Sequence, residues 1–171
     1  MQFAKDSFSI ALRQRLAALN PARTVTLGGA QRPAVVVMEN ELPSPGEQLP
    51  ECFYLEWGNL QAVDAASVGR ALYRWNCTIS YFTQGTVESG VDRGRTLGEL
   101  DRELFLICQP LFTGKRDFRK APSVDLGTSV MWTLPAMSEP KIAADEATSA
   151  TARLERTAQV AVFFFPEVDF L

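Results

Sequence analysis

Residues 71–82 read ALYRWNCTISYF, and this stretch carries the clearest fold signal in the chain. Its residues alternate strictly: Ala71, Tyr73, Trp75, Cys77, Ile79 and Tyr81 fall on one face, and Leu72, Arg74, Asn76, Thr78, Ser80 and Phe82 fall on the other. Period-two alternation over this length predicts a long β-strand within residues 69–83, with one buried face and one mostly polar face. Three aromatic rings on the first face are typical of a core or of a packed subunit face.

Five further segments have the composition and length of strands: residues 23–27, 33–38, 52–57, 128–134 and 154–165. The continuous apolar run PAVVVM at 33–38 is typical of a central strand buried on both faces. Segments 23–27 and 33–38 together predict a hairpin that turns at residues 27–31. The last strand becomes more apolar toward its end, and Pro166 terminates it.

Two amphipathic helices complete the pattern. One spans residues 6–19, with Phe8, Leu12, Leu16 and Leu19 on a single stripe. Arg13 and Arg15 fall outside that stripe, so we expect both in solvent. The second helix begins at a capping box made by Thr96 and Glu99. Its apolar stripe consists of Leu97, Leu100, Leu104, Ile107, Cys108 and Leu111.

The order of these elements predicts the fold class. Strands and helices do not alternate strictly, which disfavours a doubly wound parallel sheet. We predict an α+β fold with a mixed, mostly antiparallel sheet and two main helices packed on it. The 171 residues fit a single domain spanning 1–171. Within it, residues 135–150 are expected to form a surface excursion or a short irregular helix.

The composition excludes most catalytic chemistry. The chain has no histidine, which removes Ser-His-Asp and Cys-His catalysis and every zinc site that needs histidine. Cys52, Cys77 and Cys108 lie in separate apolar runs and are expected to be buried free thiols. Paired carboxylates such as Glu99 and Asp101 lie at helix starts or in loops, where capping or solvation is the usual role. We therefore predict no enzyme, no catalytic residue, no metal and no cofactor.

The net charge and the hydropathy pattern limit the classes of partner that we expect. The formal net charge of −3 disfavours a generally basic nucleic-acid binder. No apolar run approaches the ~18 residues of a membrane span, and no targeting segment is recognised, so we expect a soluble cytosolic protein with no membrane partner. The one basic cluster is at residues 114–120. We expect its cations to lie on an exposed loop that faces a channel or a partner: Lys115, Arg116, Arg119 and Lys120.

Taken together, these segments form an outline that covers most of the chain. An amphipathic helix at 6–19 precedes the strand RPAVVV at 32–37, an acidic loop and the aromatic strand Leu72–Phe82. The helix Leu97–Leu111 follows, and a final segment from Val160 to Phe170 ends in aromatic and acidic residues. This outline resembles the tail terminator, or tail completion, proteins of long-tailed bacteriophages. The resemblance lies in the order of the elements and in the types of residue that each contains. No single motif in the chain is diagnostic of the family.

The resemblance implies a structural role in phage or prophage tail assembly. Copies of the chain would form a homo-oligomeric, hexameric ring that stops tail-tube polymerisation and offers a surface for head–neck joining. The implied partners are the chain itself, the tail-tube protein and neck or head-completion proteins, with DNA contacted only through a central channel. The implied location is the cytoplasm of a bacterial host during assembly, and then the virion tail. Val160, Val162 and Phe164 are the residues expected on the subunit-contact strand.

One alternative of a different class stays open. The chain is then a small-molecule-binding α+β protein with an apolar pocket under a helix. The side chains expected to line that pocket are Tyr73, Trp75, Tyr81 and Trp132.

Overall fold

The computed structural model describes residues 1–41, 48–63, 71–85, 91–143 and 152–166. In these parts of the chain the helices are α1 (Gln2–Leu19), α2 (Met38–Glu41) and α3 (Asp92–Ile107). The strands are β1 (Thr24–Leu27), β2 (Ala30–Pro33), β3 (Val35–Val37), β4 (Phe53–Ala62), β5 (Tyr73–Thr83), β6 (Phe112–Asp117), β7 (Val124–Trp132), β8 (Ala136–Met137), β9 (Lys141–Ala143) and β10 (Arg153–Phe164).

The main sheet has the strand order β3-β4-β5-β10-β7-β6, and the short strands β8 and β9 also pair with β10. Strands β3 and β4 run parallel, while the remaining pairs are antiparallel. The prediction of an α+β fold with a mixed, mostly antiparallel sheet is therefore confirmed. Strands β1 and β2 form a separate hairpin.

The sheet has an inner face that carries the core. In the β5–β10 pair, Cys77 lies opposite Val160 and Ile79 lies opposite Ala158, and all four side chains are buried on this face. Helix α1 contacts the same face, because Phe8 packs edge-to-face on Trp132 with ring centroids 5.2 Å apart. Helix α3 contacts it through Asp101, which accepts a hydrogen bond from the Tyr81 hydroxyl, and its Leu100 and Leu104 are buried in the same core. The predicted alternation of β5 thus sets the core, and the opposite surface is called the outer face below.

Both long helices begin earlier than their sequence pattern predicted. Helix α1 starts at Gln2, which adds the buried Ala4 to its apolar side. Helix α3 starts at Asp92, so the predicted capping box at Thr96 and Glu99 lies inside the helix and is wrong. The Asp92 carboxylate accepts a hydrogen bond from the Arg93 backbone N–H (3.0 Å) and places a negative charge in the first turn, where the helix dipole favours it.

The predicted hairpin turns where expected but pairs with a different segment. Gly28 and Gly29 have φ values of 56° and 79°, which suit a two-residue turn that twists with its strands. The returning strand is β2 (30–33), whereas β3 leaves the hairpin and pairs in parallel with β4. Residues 35–37 are buried as predicted, yet β3 is an edge strand and not a central one. Its burial comes from α1 and α2, which pack against it.

The expected surface excursion at 135–150 contains strands instead of a helix in its described part. Strands β8 and β9 pair with β10 through Ala136–Gln159 and Ile142–Leu154. Residues 144–150 lie outside the described residues, and so do residues 42–47 and 86–90. None of the described helices has the length and apolar character needed to span a membrane.

Candidate functional site

Helix α1 places polar side chains against backbone groups of both edge strands of the main sheet. At edge strand β3, Arg13 Nε donates to the Val35 carbonyl (3.0 Å). At edge strand β6, Ser7 Oγ accepts from the Arg116 backbone N–H (2.9 Å) and Arg15 Nη2 donates to the Phe112 carbonyl (3.4 Å). The prediction that Arg13 and Arg15 lie in solvent is therefore wrong. These backbone groups are not available to extend the sheet into a neighbouring chain.

Arg15 also joins α1 to the end of α3. Its Nη1 donates to the carbonyls of Ile107 (3.0 Å) and Pro110 (2.8 Å). Its guanidinium lies 5.0 Å from the centroid of the Trp132 ring, within cation–π range. One side chain thereby satisfies carbonyls at a helix end that would otherwise lack partners.

Strand β10 does not offer the subunit contact that was expected of it. It lies in the middle of the sheet, with β5 on one side and β7, β8 and β9 on the other. Val160, Val162 and Phe164 point to the inner face and are fully buried. A strand that is paired on both sides cannot lend an edge to another subunit, so these residues belong to the core. If subunits contact each other, other residues form that contact.

The basic cluster at 114–120 is only partly exposed. Lys115 lies on strand β6 with 1% of its surface exposed, and its Nζ donates to the Phe165 carbonyl (2.5 Å). Arg116 donates to Ser123, at distances of 2.9 Å from Nε to Oγ and 2.6 Å from Nη2 to the carbonyl. The predicted exposed loop is therefore wrong for Lys115 and Arg116, because both lie on strand β6 and Lys115 points inward. Arg119, 75% exposed, pairs with Asp117, and Lys120 is exposed beside it.

Three of the four aromatic residues considered for a ligand pocket belong to one cluster of contacting rings, and Tyr81 packs apart from it. Tyr81 packs on Phe53 (5.4 Å between centroids), and its hydroxyl donates to Asp101. Trp75 stacks on Phe164 at 5.7 Å, and Tyr73 stacks on the same ring at 6.1 Å. Trp132 packs on Phe8 and donates from Nε1 to the Cys108 carbonyl (2.9 Å). Protein side chains thus occupy the positions next to these rings.

A buried lysine lies among the same aromatics. The Lys5 Nζ atom is 4.1 Å from the Trp75 centroid and 5.4 Å from the Trp57 centroid. It also forms an ion pair with Glu39 at 2.8 Å, which neutralises its charge at this nearly dry position. The arrangement ties the start of α1 to α2 and to the sheet.

Other buried charges are also paired and hold elements together. Glu103 of α3 accepts bonds from Asn20 Nδ2 (2.6 Å) and Arg23 Nε (2.9 Å), which fastens the hairpin segment to α3. Asp101 accepts from the Tyr81 hydroxyl (2.7 Å) and from Arg156 Nη1 (2.5 Å). Burial and the bond to Asp101 raise the pKa of Tyr81 above its usual value. These carboxylates are engaged by guanidinium groups, which is a structural use of charge.

The thiols have the character predicted for them. Cys52, Cys77 and Cys108 are free and buried. Burial raises the pKa of Cys52 and of Cys108 to about 12 and raises the pKa of Cys77 as well. A thiol in this state is a poor nucleophile. Within the described residues there is no group of three or more Cys, Asp or Glu side chains arranged to hold a metal ion.

The outer face of the sheet is polar along its centre. Gln159 Nε2 donates to Thr78 Oγ1 (2.9 Å), and the hydroxyls of Thr157 and Ser138 are 3.2 Å apart. Thr157 and Gln159 are exposed, as is Glu56 on β4. This surface is the mostly polar second face that the alternation of β5 predicted.

One end of the outer face is apolar instead. Phe112, Met131 and Phe163 lie opposite one another across β6, β7 and β10 and so form a row on this face. The Trp132 N–H bonds to the Leu111 carbonyl, which brings the segment after α3 alongside the row. Phe112 and Met131 of this row are exposed, and four more exposed apolar side chains lie nearby in the chain: Phe105 and Leu106 on α3, and Leu111 and Leu134 next to β6 and β7. These six side chains are called the apolar patch.

The sequence held a signal for this patch that the helix interpretation overlooked. The stripe of α3 is completed by Leu97, Leu100, Leu104 and Ile107, which are all buried. Phe105 and Leu106 are apolar residues in excess of that stripe, and they remain exposed. Apolar residues in excess of a complete stripe predict exposed apolar side chains on the outward side of the helix.

No protein-family model matches the chain, and no curated protein sequence matches it significantly.

Proposed function

We propose that this chain is a structural assembly protein that joins copies of itself into a closed ring, of the type that terminates a long-tailed bacteriophage tail. In this role the ring ends tail-tube polymerisation and offers its other side to neck or head-completion proteins. The protein would assemble in the cytoplasm of a bacterial host and remain in the virion tail. No bond is made or broken in this function.

The observation that carries the proposal is the apolar patch. Its six exposed side chains come from three successive parts of the chain: the end of α3, the start of β6 and the end of β7. Monomeric proteins rarely leave a large contiguous apolar surface in water, and such a surface usually marks a contact with another chain. Phe112 and Met131 of the patch lie on the outer face of the sheet, whereas Phe105 and Leu106 lie on α3.

The protected edge strands fit a subunit that makes one specific contact with its neighbour, because open edges would allow strands of further chains to be added without limit. Arg13, Arg15 and Ser7 occupy backbone groups of β3 and β6 that would otherwise invite further strands. A terminator has to form a ring and then stop growth. A subunit that associates through side-chain surfaces, with protected edges, suits that requirement.

Fewer cations are exposed and able to line a channel than the sequence predicted. Of the four cations at 115–120, Lys115 is buried and Arg116 bonds Ser123. Arg119 and Lys120 are the members that present charge to solvent. DNA contact through a ring channel would therefore depend on Arg119 and Lys120, repeated in each subunit.

The pocket alternative receives less support from the geometry. Phe164 stacks on Tyr73 and Trp75, and Phe8 packs on Trp132, so the rings are in contact with the core. Soaking the protein with apolar dyes and following tryptophan fluorescence tests it directly. Saturable quenching by a monomer would favour the pocket over the ring.

Native mass measurement tests the ring. Light scattering after size exclusion is expected to give a single species at a multiple of the 18.9 kDa chain mass, six-fold for a hexamer, with a central hole visible by electron microscopy. A monomer at high protein concentration overturns the proposal. The terminator role is tested by adding the ring to elongating tail-tube protein of the same phage. Tubes are expected to stop growing at substoichiometric amounts, and undiminished growth would refute this role.

A further inference from the structure

We propose that helix α1 closes the main sheet in the way that a further strand would, and that it opens as one unit, so that both edge strands become accessible together. The contacts concerned lie within one chain, so the inference does not depend on the proposed function. It follows from the way in which α1 is attached to β3 and β6, the two ends of the strand order in the described sheet.

Helix α1 runs alongside β6. Ser7 Oγ accepts from the Arg116 backbone N–H (2.9 Å), and Arg15 Nη2 donates to the Phe112 carbonyl (3.4 Å). Arg15 follows Ser7 by eight helical residues, which is about 12 Å at ~1.5 Å per residue. Arg116 follows Phe112 by four strand residues, which is about 13 Å at ~3.3 Å per residue. The two lengths agree and the residue order is opposite, so α1 and β6 lie side by side and antiparallel.

Strand β3 lies on the other flank of α1. Arg13 Nε donates to the Val35 carbonyl (3.0 Å) from a position between the two residues that contact β6. Arg13 and Arg15 are two residues apart, so their side chains leave the helix about 160° apart. Phe8 and Leu12 are fully buried and point between these two flanks into the core. Helix α1 therefore lies in the gap between the edge strands, where a barrel would have a closing strand.

The attachment to β3 includes the end of α2. Glu41 Oε1 accepts from Arg13 Nη2 (2.6 Å), and its Oε2 accepts from the Val37 backbone N–H (2.7 Å). The Val35 carbonyl and the Val37 N–H point to the same side of the strand, because residues two apart share a hydrogen-bonding direction. Arg13 and Glu41 thus occupy one acceptor and one donor that an adjacent strand would use. Release of α1 removes the first bond and takes away the arginine that holds Glu41 in place for the second.

The attachments to the two edges are expected to break together. A displacement of α1 that takes Arg13 away from β3 also moves Ser7 and Arg15 relative to β6, because all three project from the same cooperative helix. Phe8 and Leu12 leave the core in the same movement. The long β5–β10 pair does not depend on α1, so this opening requires less free energy than global unfolding. Addition of a strand from another chain to either edge therefore requires α1 to open first.

Hydrogen–deuterium exchange of the folded full chain, with mass spectrometry resolved to single residues, tests the proposal. The Val37 N–H reports on the β3 edge and the Arg116 N–H reports on the β6 edge. Amides of residues 76–80, in the middle of β5, report on global unfolding. Arg13→Met removes an attachment to β3, and Arg15→Met removes an attachment to β6. Neither substitution changes the group that binds the reporter N–H at the opposite edge.

Each variant is expected to accelerate exchange at the opposite edge. Arg13→Met should raise the exchange rate of the Arg116 N–H about ten-fold or more, since a hydrogen bond from a charged donor commonly changes an equilibrium by that factor. Arg15→Met should do the same for the Val37 N–H, because one opening exposes both groups and the coupling is reciprocal. The amides of residues 76–80 should remain slower than both edge amides.

Tyr81→Phe is the matched control, since it removes a bond between β5 and α3 that does not involve α1. It should accelerate exchange in residues 76–80 and leave both edge amides unchanged. If Arg13→Met accelerates exchange at Val37 but not at Arg116, the two edges open independently and the proposal is overturned. If Tyr81→Phe accelerates the edge amides as much as the central ones, the edges open only by global unfolding, which overturns it as well. Neither result bears on whether the chain forms a ring, which native mass decides.

Discussion

Replacing Arg15 by methionine tests whether α1 fastens the sheet edge and the end of α3. The substitution removes bonds to the carbonyls of Ile107 (3.0 Å), Pro110 (2.8 Å) and Phe112 (3.4 Å), and the cation–π contact with Trp132. Arginine and methionine have similar helix propensities, so the change reports these contacts rather than the stability of α1 itself.

The magnitude follows from the two shorter bonds. A hydrogen bond to a charged group contributes about 1.5–3 kcal/mol, and the lower end applies here because water reaches part of the side chain. A cation–π contact adds ~0.5–1 kcal/mol at a partly exposed site. The expected loss is about 3.5–4 kcal/mol of unfolding free energy, which lowers the melting temperature by roughly 7–16 °C for a chain of this size. Arg15→Lys retains the charge but not the fork of donors, and it is expected to lose about half as much.

Urea unfolding monitored by tryptophan fluorescence measures this effect. The measurement is made at two protein concentrations that differ tenfold, because an unfolding midpoint that is independent of concentration shows that subunit association does not add to the stability. Arg102→Met, a change at an exposed position of α3, is the matched control and should stay within ~0.5 kcal/mol of its parent. If Arg15→Met unfolds at the same urea concentration as Arg102→Met, the assigned role of Arg15 is refuted.

Three further predictions concern the core. Val162→Asp places a charge at a fully buried position of the central strand and should cost more than ~4 kcal/mol, so the chain should fail to fold; native near-ultraviolet circular dichroism in this variant would contradict the strand assignment. Tyr81→Phe removes the 2.7 Å bond to Asp101 and should cost about 1–2 kcal/mol in urea unfolding, and unchanged stability would show that the bond contributes nothing. Burial raises the pKa of Cys52 and Cys108 to about 12 in the folded chain, whereas an unfolded thiol ionises near pH ~8.5. The unfolded state therefore loses these protons first, and the unfolding free energy should fall as the pH rises from about 8.5 toward 12; a flat profile over that range would count against the burial of these thiols.

The spacing of apolar and polar residues along the chain determined a large part of this fold. The alternation in residues 71–82 predicted the faces of β5, because successive side chains of a strand point to opposite sides whatever lies next to it. The 3.6-residue period likewise placed Phe8, Leu12 and Leu16 on the buried side of α1. The apolar surroundings of the three cysteines predicted their burial. Each of these inferences concerns a residue and its near neighbours in the chain.

Tertiary structure decided which segments are neighbours. Periodicity shows that Val160, Val162 and Phe164 share a face, but it does not show that β10 lies in the middle of the sheet, since strand order depends on pairings between distant residues. The same holds for Lys115, which the sequence places in a basic run and the fold places under Phe165. Arg13 and Arg15 looked like solvent-facing helix residues because their carbonyl partners lie about 20 to 95 positions away. The sequence thus determined which side chains are apolar and on which face they lie, whereas only the packed chain determined which of those side chains remained exposed.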